Sequence, residues 1–240
     1  MNNLIRLNVF LASAGVGSRR NVNEIIKQER VKVNGKLAQL NHRIDPQKDE
    51  ILVDGQKISK KFEPIYIVLN KPKGIIATAK DEFGRKSVIN LIESEHRVYP
   101  VGRLDATTSG LILLTNDGEL AFKLTHPKFH IPKTYHLTIQ GQVSEESLEK
   151  LQQGVKLKEG MARADEVNIL QFEHNRTLLE LKLHQGWNHQ VKRMCSALNL
   201  NLISLRRVAI GPLELGSLAE GEYRHLTAQE LKLIPQLILS

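Results

Sequence analysis

The stretch that most constrains this chain is Val98–Gly118, VYPVGRLDATTSGLILLTNDG. Its two ends have the residues of secondary structure and its middle does not. Val98–Val101 is a short, apolar, β-rich piece. Leu111–Leu114 is an unbroken aliphatic run of strand length, closed by Asn116-Asp117-Gly118, a turn or helix-start signal. Between them, Gly102 to Gly110 is small, polar and bracketed by glycines, with Arg103 and Asp105 two residues apart. Two strands presenting a short loop are a good mount for a reactive side chain, and Asp105 is the candidate catalytic residue. Taken alone, an Asp in such a loop is ordinarily a turn-former bonding its own backbone. The whole string in its strand–loop–strand setting is what singles this one out.

A length of 240 residues allows one large domain or two smaller ones. Hydrophobic residues make up 41% of the chain but aromatics only 5%, so the core must be aliphatic. The single cysteine, Cys195, excludes a disulfide framework and a cysteine-based zinc site, and suits a reducing cytoplasm. No apolar run reaches the ~20 residues of a transmembrane helix. The start, MNNLIRLNVFLASAG, has an Arg inside its apolar part and does not read as a signal peptide. The formal charge of +8 is unevenly placed: residues 1–61 hold 12 Lys+Arg against 6 Asp+Glu, and the remaining 179 hold 22 against 20. Basic charge gathered on a small module points to nucleic acid; an ordinary solvated surface is the other reading.

Residues 1–61 read as a compact unit. Leu4, Leu7, Val9, Phe10, Leu11 and Ala14 give a rough helical stripe that stops at Gly15-Val16-Gly17. Ser18 is a good N-cap for a second helix with Val22, Ile25 and Ile26 inward. Val31–Lys36 alternates and turns at Asn34-Gly35, a hairpin pattern that Ile51–Ile58 repeats. The candidate RNA-binding cations Arg19, Arg20, Lys27, Arg30, Lys32 and Lys36 fall around the second helix and the first hairpin. There they would grip the phosphates of a folded RNA.

Lys60–Pro64 reads as a connector. Ile65–Leu69 is a buried-type strand entering a turn at Asn70-Lys71-Pro72-Lys73-Gly74, whose two lysines would contact phosphate or only water. Ile75–Thr78 reads as a resumed strand, and Gly118–Leu124 as one or two helical turns ended by His126-Pro127. Lys133–Ile139 alternates with Tyr135, Leu137 and Ile139 on one face, which makes Tyr135 core-facing on pattern alone. Ser144 caps a helix ended by Gly154, and strands are expected at Ala162–Leu170 and Thr177–Leu183. Asn188 is the expected N-cap of an amphipathic helix on Val191, Met194, Cys195 and Leu198. Lys192 and Arg193 lie near its positive end. Arg206 and Arg207 in the next strand are RNA contacts or surface charges, and Thr227–Glu230 is a capping box opening a final helix. The histidines at 126, 130, 136, 184 and 189 lack carboxylate or Cys support at ligand spacing, so no metal site is expected.

The GRLD string in this setting resembles the signature of pseudouridine synthases of the RsuA/RluB type, the branch that modifies ribosomal RNA. The resemblance returns in the NKP-x-G turn at Asn70–Gly74, in K-x-Y at Lys133–Tyr135 and in HQVKRM at His189–Met194. AGVGSRR…ERVKVNGK…DEILVDG is similar to an S4-like RNA-binding domain, from about Leu4 to Lys57. The implied fold is α+β: residues 1–61 form the S4-like domain, and residues 63–240 a catalytic domain on a mixed, mostly antiparallel sheet with the active cleft crossing its middle.

The resemblance also implies a reaction, uridine to pseudouridine within RNA, without a cofactor. The N1–C1′ bond breaks, the uracil turns, and C5 joins C1′. Asp105 would be the nucleophile, Lys192 the cation paired with it, Tyr135 the aromatic lying against the target uracil, and Arg103 the side chain filling the gap left by the extruded nucleotide. Arg is more usual at 192; Lys keeps the charge but loses the bidentate fork. Trp187 stands where many members have a basic residue. The match through GQVSEESLEKLQQGVKLKEG and RRVAIGPLELGSLAEGEYRHLTAQEL leans toward large-subunit ribosomal RNA. Small-subunit RNA, a non-catalytic assembly factor and a base-releasing N-glycosidase are the other readings. The expected partner is ribosomal RNA, the expected form a monomer, and the expected location cytoplasmic with no membrane association.

Overall fold

The computed structural model describes residues 4–58, 64–79, 81–94 and 96–239. The expected connector at Lys60–Glu63 lies outside the described residues. The chain divides into two compact units, the first running to Pro64 and the second from Ile65 onward, apart from His96–Arg97, which group with the first.

The first unit runs β1 (Ile5–Arg6), α1 (Leu7–Ser13), α2 (Arg19–Lys27), β2 (Val31–Val33), β3 (Lys36–Leu37), β4 (Arg43–Ile44), β5 (Ile51–Val53) and β6 (Gln56–Lys57). A four-stranded antiparallel sheet has the order β3-β2-β5-β6. Both of its hairpin turns place two residues in the left-handed region, Asn34 and Gly35 at φ 50° and 78°, Asp54 and Gly55 at 51° and 79°. That backbone matches the strand twist and favours Asx-Gly. The Ser18 hydroxyl accepts the Asn21 N–H at 3.1 Å and starts α2. Leu7, Phe10 and Leu11 of α1 and Val22, Ile25 and Ile26 of α2 bury against Val31, Val33, Ile51 and Val53 of the sheet. Leu4 is exposed and precedes the helix, because Ile5 and Arg6 pair with Ile44 and Arg43 before α1 begins.

The second unit runs β7 (Tyr66–Lys71), β8 (Tyr99–Pro100), β9 (Ser109–Thr115), α3 (Gly118–Thr125), β10 (Lys133–Gln140), α4 (Glu145–Gln153), β11 (Val155–Leu157), β12 (Gly160–Ala162), β13 (Glu166–Glu173), β14 (Arg176–Leu183), α5 (Gln190–Ala197), β15 (Leu202–Ile210), β16 (Leu213–Glu214), β17 (Tyr223–His225) and α6 (Ala228–Leu239). Nine strands form one sheet along β13-β14-β10-β15-β9-β7-β17, with β8 beside β9 and β16 beside β15. The β9–β15 contact is parallel and the other described pairs are antiparallel. Every residue of β9 is buried. Leu111 and Leu113 face one core with Val68, while Ile112 and Leu114 face another with Ile67 and Leu69. Burial on both faces is the reason the run does not alternate.

Three strands differ from the pattern expected. Val98–Val101 contributes only Tyr99–Pro100 as strand, and Ile75–Thr78 only an isolated bridge from Ile76 to Ser87. Ala162–Leu170 is two strands: Ala162 closes the β11–β12 hairpin, and Glu166 begins the pairing of β13 with β14. The chain changes sheets at Ala164–Asp165, whose N–H groups donate to Leu151 and Lys182 carbonyls. No helix is long and apolar enough to cross a membrane among the described residues.

Candidate active site

The site begins where β9 and β15 meet. β9 starts at Ser109, before its aliphatic run, because Ser109 and Gly110 pair with Arg206 and Arg207. Gly110 has φ 105°, and a side chain there would collide with the Arg207 backbone, so only glycine fits this close approach. The loop ahead of it is tied down by its own backbone. Thr108 N–H donates to Asp105 O at 3.0 Å, and Gly74 N–H donates to Ala106 O at 2.7 Å. The turn is thus made by the main chain of Asp105, leaving its carboxylate to face a cavity of about 470 Å³ that Arg103, Tyr135, Trp187, Lys192 and Arg207 also line.

Lys192 stands in the first turn of α5. Its Nζ donates to Asp105 Oδ2 at 2.9 Å and to Thr107 Oγ1 at 2.6 Å. Both partners are mostly buried, Lys192 at 24% and Asp105 at 28% side-chain exposure, so the pair is less screened than one in open solvent. His189 Nδ1 lies 3.5 Å from the same oxygen. His189, not Asn188, is the N-cap of α5, at φ 51° and with no side-chain bond to the helix. The Gln190 side chain reaches back instead, accepting the Trp187 N–H at 3.0 Å and tying the preceding loop to the start of the helix.

Tyr135 is half-buried in β10, opposite Leu181 and Arg207. It packs against the hydrophobic cores of the unit and lines the cavity, so the core-facing and cavity-facing readings hold together. Arg103 is exposed at the cavity's edge. The structure therefore brings Arg103, Asp105, Tyr135 and Lys192 to one cavity. Arg19, Arg20, Lys27, Arg30, Lys32 and Lys36 are exposed on the first unit. Arg30 is forked onto Asp54 at 2.8 and 2.6 Å, and Lys27 is paired with Glu24 at 2.8 Å. Arg19, Arg20, Lys32 and Lys36 have no carboxylate partner among the described residues.

Two cations differ from the sequence reading. Lys71 is not a turn lysine facing phosphate or water: it ends β7 fully buried, with Nζ donating to Pro72 O and Ile75 O at 2.8 Å each. Burial lowers its pKa to about 8 against the pull of Asp105 and Glu220. Arg207 is neither a surface charge nor an exposed contact. It is 5% exposed, and its Nε donates to Leu111 O at 2.8 Å, clasping β9. Its charge also bears on Lys133, whose pKa falls to about 8, first through burial and then through Arg207. Thr107 and His189 complete the surroundings of the carboxylate. Nothing in their spacing marks them, because their partners come from elements 85 or so residues apart.

The fold and this cavity define a class, an RNA-modifying enzyme built as a pseudouridine synthase with an S4 domain. A crystal structure of a pseudouridylate synthase matches with a TM-score of 0.67 and 32% identity, over 96% of this chain and 99% of the other. Residues 65–197 match the model of the RNA pseudouridylate synthase family, and residues 5–51 that of the S4 domain. The chain belongs to the RNA pseudouridylate synthase family. It is 42% identical over 231 residues to the Bacillus subtilis ribosomal large subunit pseudouridine synthase B, covering 95% of this chain and 94% of that protein. It is 41% identical over 230 residues to an uncharacterized RNA pseudouridine synthase of Aquifex aeolicus, covering 95% and 92%.

Proposed function

We propose that this enzyme isomerises a specific uridine of large-subunit ribosomal RNA, with Asp105 as the nucleophile. The carrying observation is the 2.9 Å pairing of Lys192 with Asp105 inside a cavity that Tyr135 also lines. The ammonium holds the carboxylate in place beside the cavity, and an ionised carboxylate is a nucleophile. The carboxylate either displaces the uracil from C1′, forming an ester that C5 of the turned base then displaces, or adds to C6 of the uracil and is expelled after C5 has joined C1′. On both routes the N1–C1′ bond breaks, the base turns between Tyr135 and the cavity wall, and the carboxylate is regenerated. C5 then bonds C1′ and loses its proton, while N1 gains one, so atoms balance and no redox partner is needed. Tyr135 offers a flat surface to a base that has left its helix. Arg103, exposed beside the cavity, fills the space that base vacates. The cations Arg19, Arg20, Lys32 and Lys36 grip phosphates outside the reacting nucleotide. The large-subunit assignment is supported by the Bacillus subtilis relative, whose name states that substrate.

The test is a map of pseudouridines in ribosomal RNA from cells with and without the protein. One large-subunit position should lose its pseudouridine and regain it with the wild-type gene. Loss at a small-subunit position would reassign the substrate. An unchanged map would favour a non-catalytic assembly factor, and abasic sites in place of isomerised ones would favour an N-glycosidase.

A further inference from the structure

The loop that carries Asp105 also lines a second groove. This groove, of about 460 Å³, is lined by Arg103, Asp105 and His189 and by Asp81, Phe83 and Arg85. Phe83 is 80% exposed, the most exposed large hydrophobic side chain among the described residues. It is nevertheless held firmly. The Asp81 carboxylate accepts the backbone N–H groups of Phe83 at 3.1 Å and Arg85 at 2.6 Å, and its other oxygen accepts the Arg85 guanidinium at 3.1 and 2.7 Å. Gly84, at φ 71°, supplies the left-handed residue of this turn. The Arg85 guanidinium sits over the Phe83 ring, 5.1 Å from its centroid. The turn that carries the ring is fixed by four hydrogen bonds to Asp81, one of them from the Phe83 N–H, and the ring itself stands in solvent with only the Arg85 guanidinium over it.

We propose that Phe83 is a stacking platform for an RNA base flanking the nucleotide at Asp105, with Arg103 taking an adjoining phosphate. This rests on the reading that Asp105 acts on a uridine in RNA. Pulling one nucleotide out of a strand strips its neighbours of a stacking partner. An aromatic face replaces that partner for any base, because every base has a π-face. The groove shares Arg103, Leu104, Asp105 and His189 with the Asp105 cavity, and Arg103 brings to it a positive charge that a phosphate would meet.

The experiment uses the full chain and pseudouridine-free transcripts of large- and small-subunit ribosomal RNA. Phe83→Ala and Phe83→Leu should raise KM roughly 5- to 150-fold, the range that base–aromatic stacking gives on truncation, with kcat changed less than about threefold. Phe83→Trp should keep KM at or below the wild-type value. The slope of affinity against salt should not change, since the ring neutralises no phosphate. Wild-type KM in both Phe83→Ala and Phe83→Leu, or a fall in kcat at constant KM, would overturn the proposal and leave the ring to a protein partner or to the loop itself. If the wild-type enzyme forms no pseudouridine in either transcript, the Asp105 reading fails and takes the platform with it. If it does, only the platform is at stake.

Discussion

Lys192 reaches across 87 residues of sequence to hold Asp105 at 2.9 Å, and the same amine binds Thr107 at 2.6 Å. One ammonium thus fixes both the carboxylate and the loop that carries it. Lys192→Met should lower kcat/KM by roughly 10- to 150-fold, since losing a hydrogen bond to a charged group and leaving its partner unpaired costs about 1.5–3 kcal/mol. Lys192→Arg keeps the charge and should recover most of that loss. Steady-state pseudouridine formation on a ribosomal RNA transcript reads both.

Tyr135 is expected to act through its ring. Tyr135→Phe should retain KM within about threefold, whereas Tyr135→Ala should raise it by roughly 5- to 150-fold through lost stacking. Equal effects of the two substitutions would assign the contribution to the hydroxyl.

Arg19, Arg20, Lys32 and Lys36, which have no carboxylate partner among the described residues, should set much of the salt dependence of RNA binding. Replacing Arg19, Arg20, Lys32 and Lys36 together by Gln should flatten the slope of log K against log salt by about 3, from 0.7–0.9 per phosphate contact. Replacing the Asp54-paired Arg30 by Gln should change it less. A filter-binding titration across salt concentrations distinguishes the two sets.

At the C-terminal helix, Arg224 forks onto Glu230 at 2.7 and 2.8 Å, and Thr227 N–H donates to the same carboxylate at 2.8 Å. The Arg224 hydrogen bonds chiefly hold the Glu230 pKa down at about 2, below the ordinary 4.5. A depressed carboxylate stabilises the folded state above its unfolded pKa and loses that contribution as pH falls toward its folded one. Glu230→Gln should therefore lower Tm near neutral pH, and the gap from wild type should narrow between about pH 5 and pH 3. Parallel melts across that range check it; a constant gap would assign the effect to packing.

Much of this architecture is legible in the sequence because its signals are local. Asn34-Gly35 demands two left-handed residues, Ser18 and the Thr227–Glu230 pair cap helices, and a four-residue aliphatic run needs burial on both faces. The misread parts depend on how segments pack, whether the partner is distant, as for Gly110 and Arg207, or close in sequence, as for Lys71 and Ala162. Gly110 looked like the end of a loop, yet it opens β9 because Arg207 passes too close for a side chain. Lys71 and Arg207 carry the composition of surface residues, but each buries its charged head on backbone carbonyls supplied by neighbouring segments. The Ala162–Leu170 run splits because Val155–Leu157 claims its first residue as a hairpin partner. For the site, the GRLD, K-x-Y and HQVKRM strings mark Asp105, Arg103, Tyr135 and Lys192. Thr107 lies in the same loop and His189 opens the HQVKRM string, but their contacts with Lys192 and Asp105 emerge only once α5 packs beside the loop.

The central claim is the charge on the Asp105 carboxylate. Asp105→Asn keeps the shape and a hydrogen-bond acceptor for Lys192 but removes the anionic nucleophile. Pseudouridine formation by this variant on a large-subunit transcript should fall at least about 10³-fold, with RNA affinity and Tm near wild type. Turnover close to the wild-type rate would contradict the account.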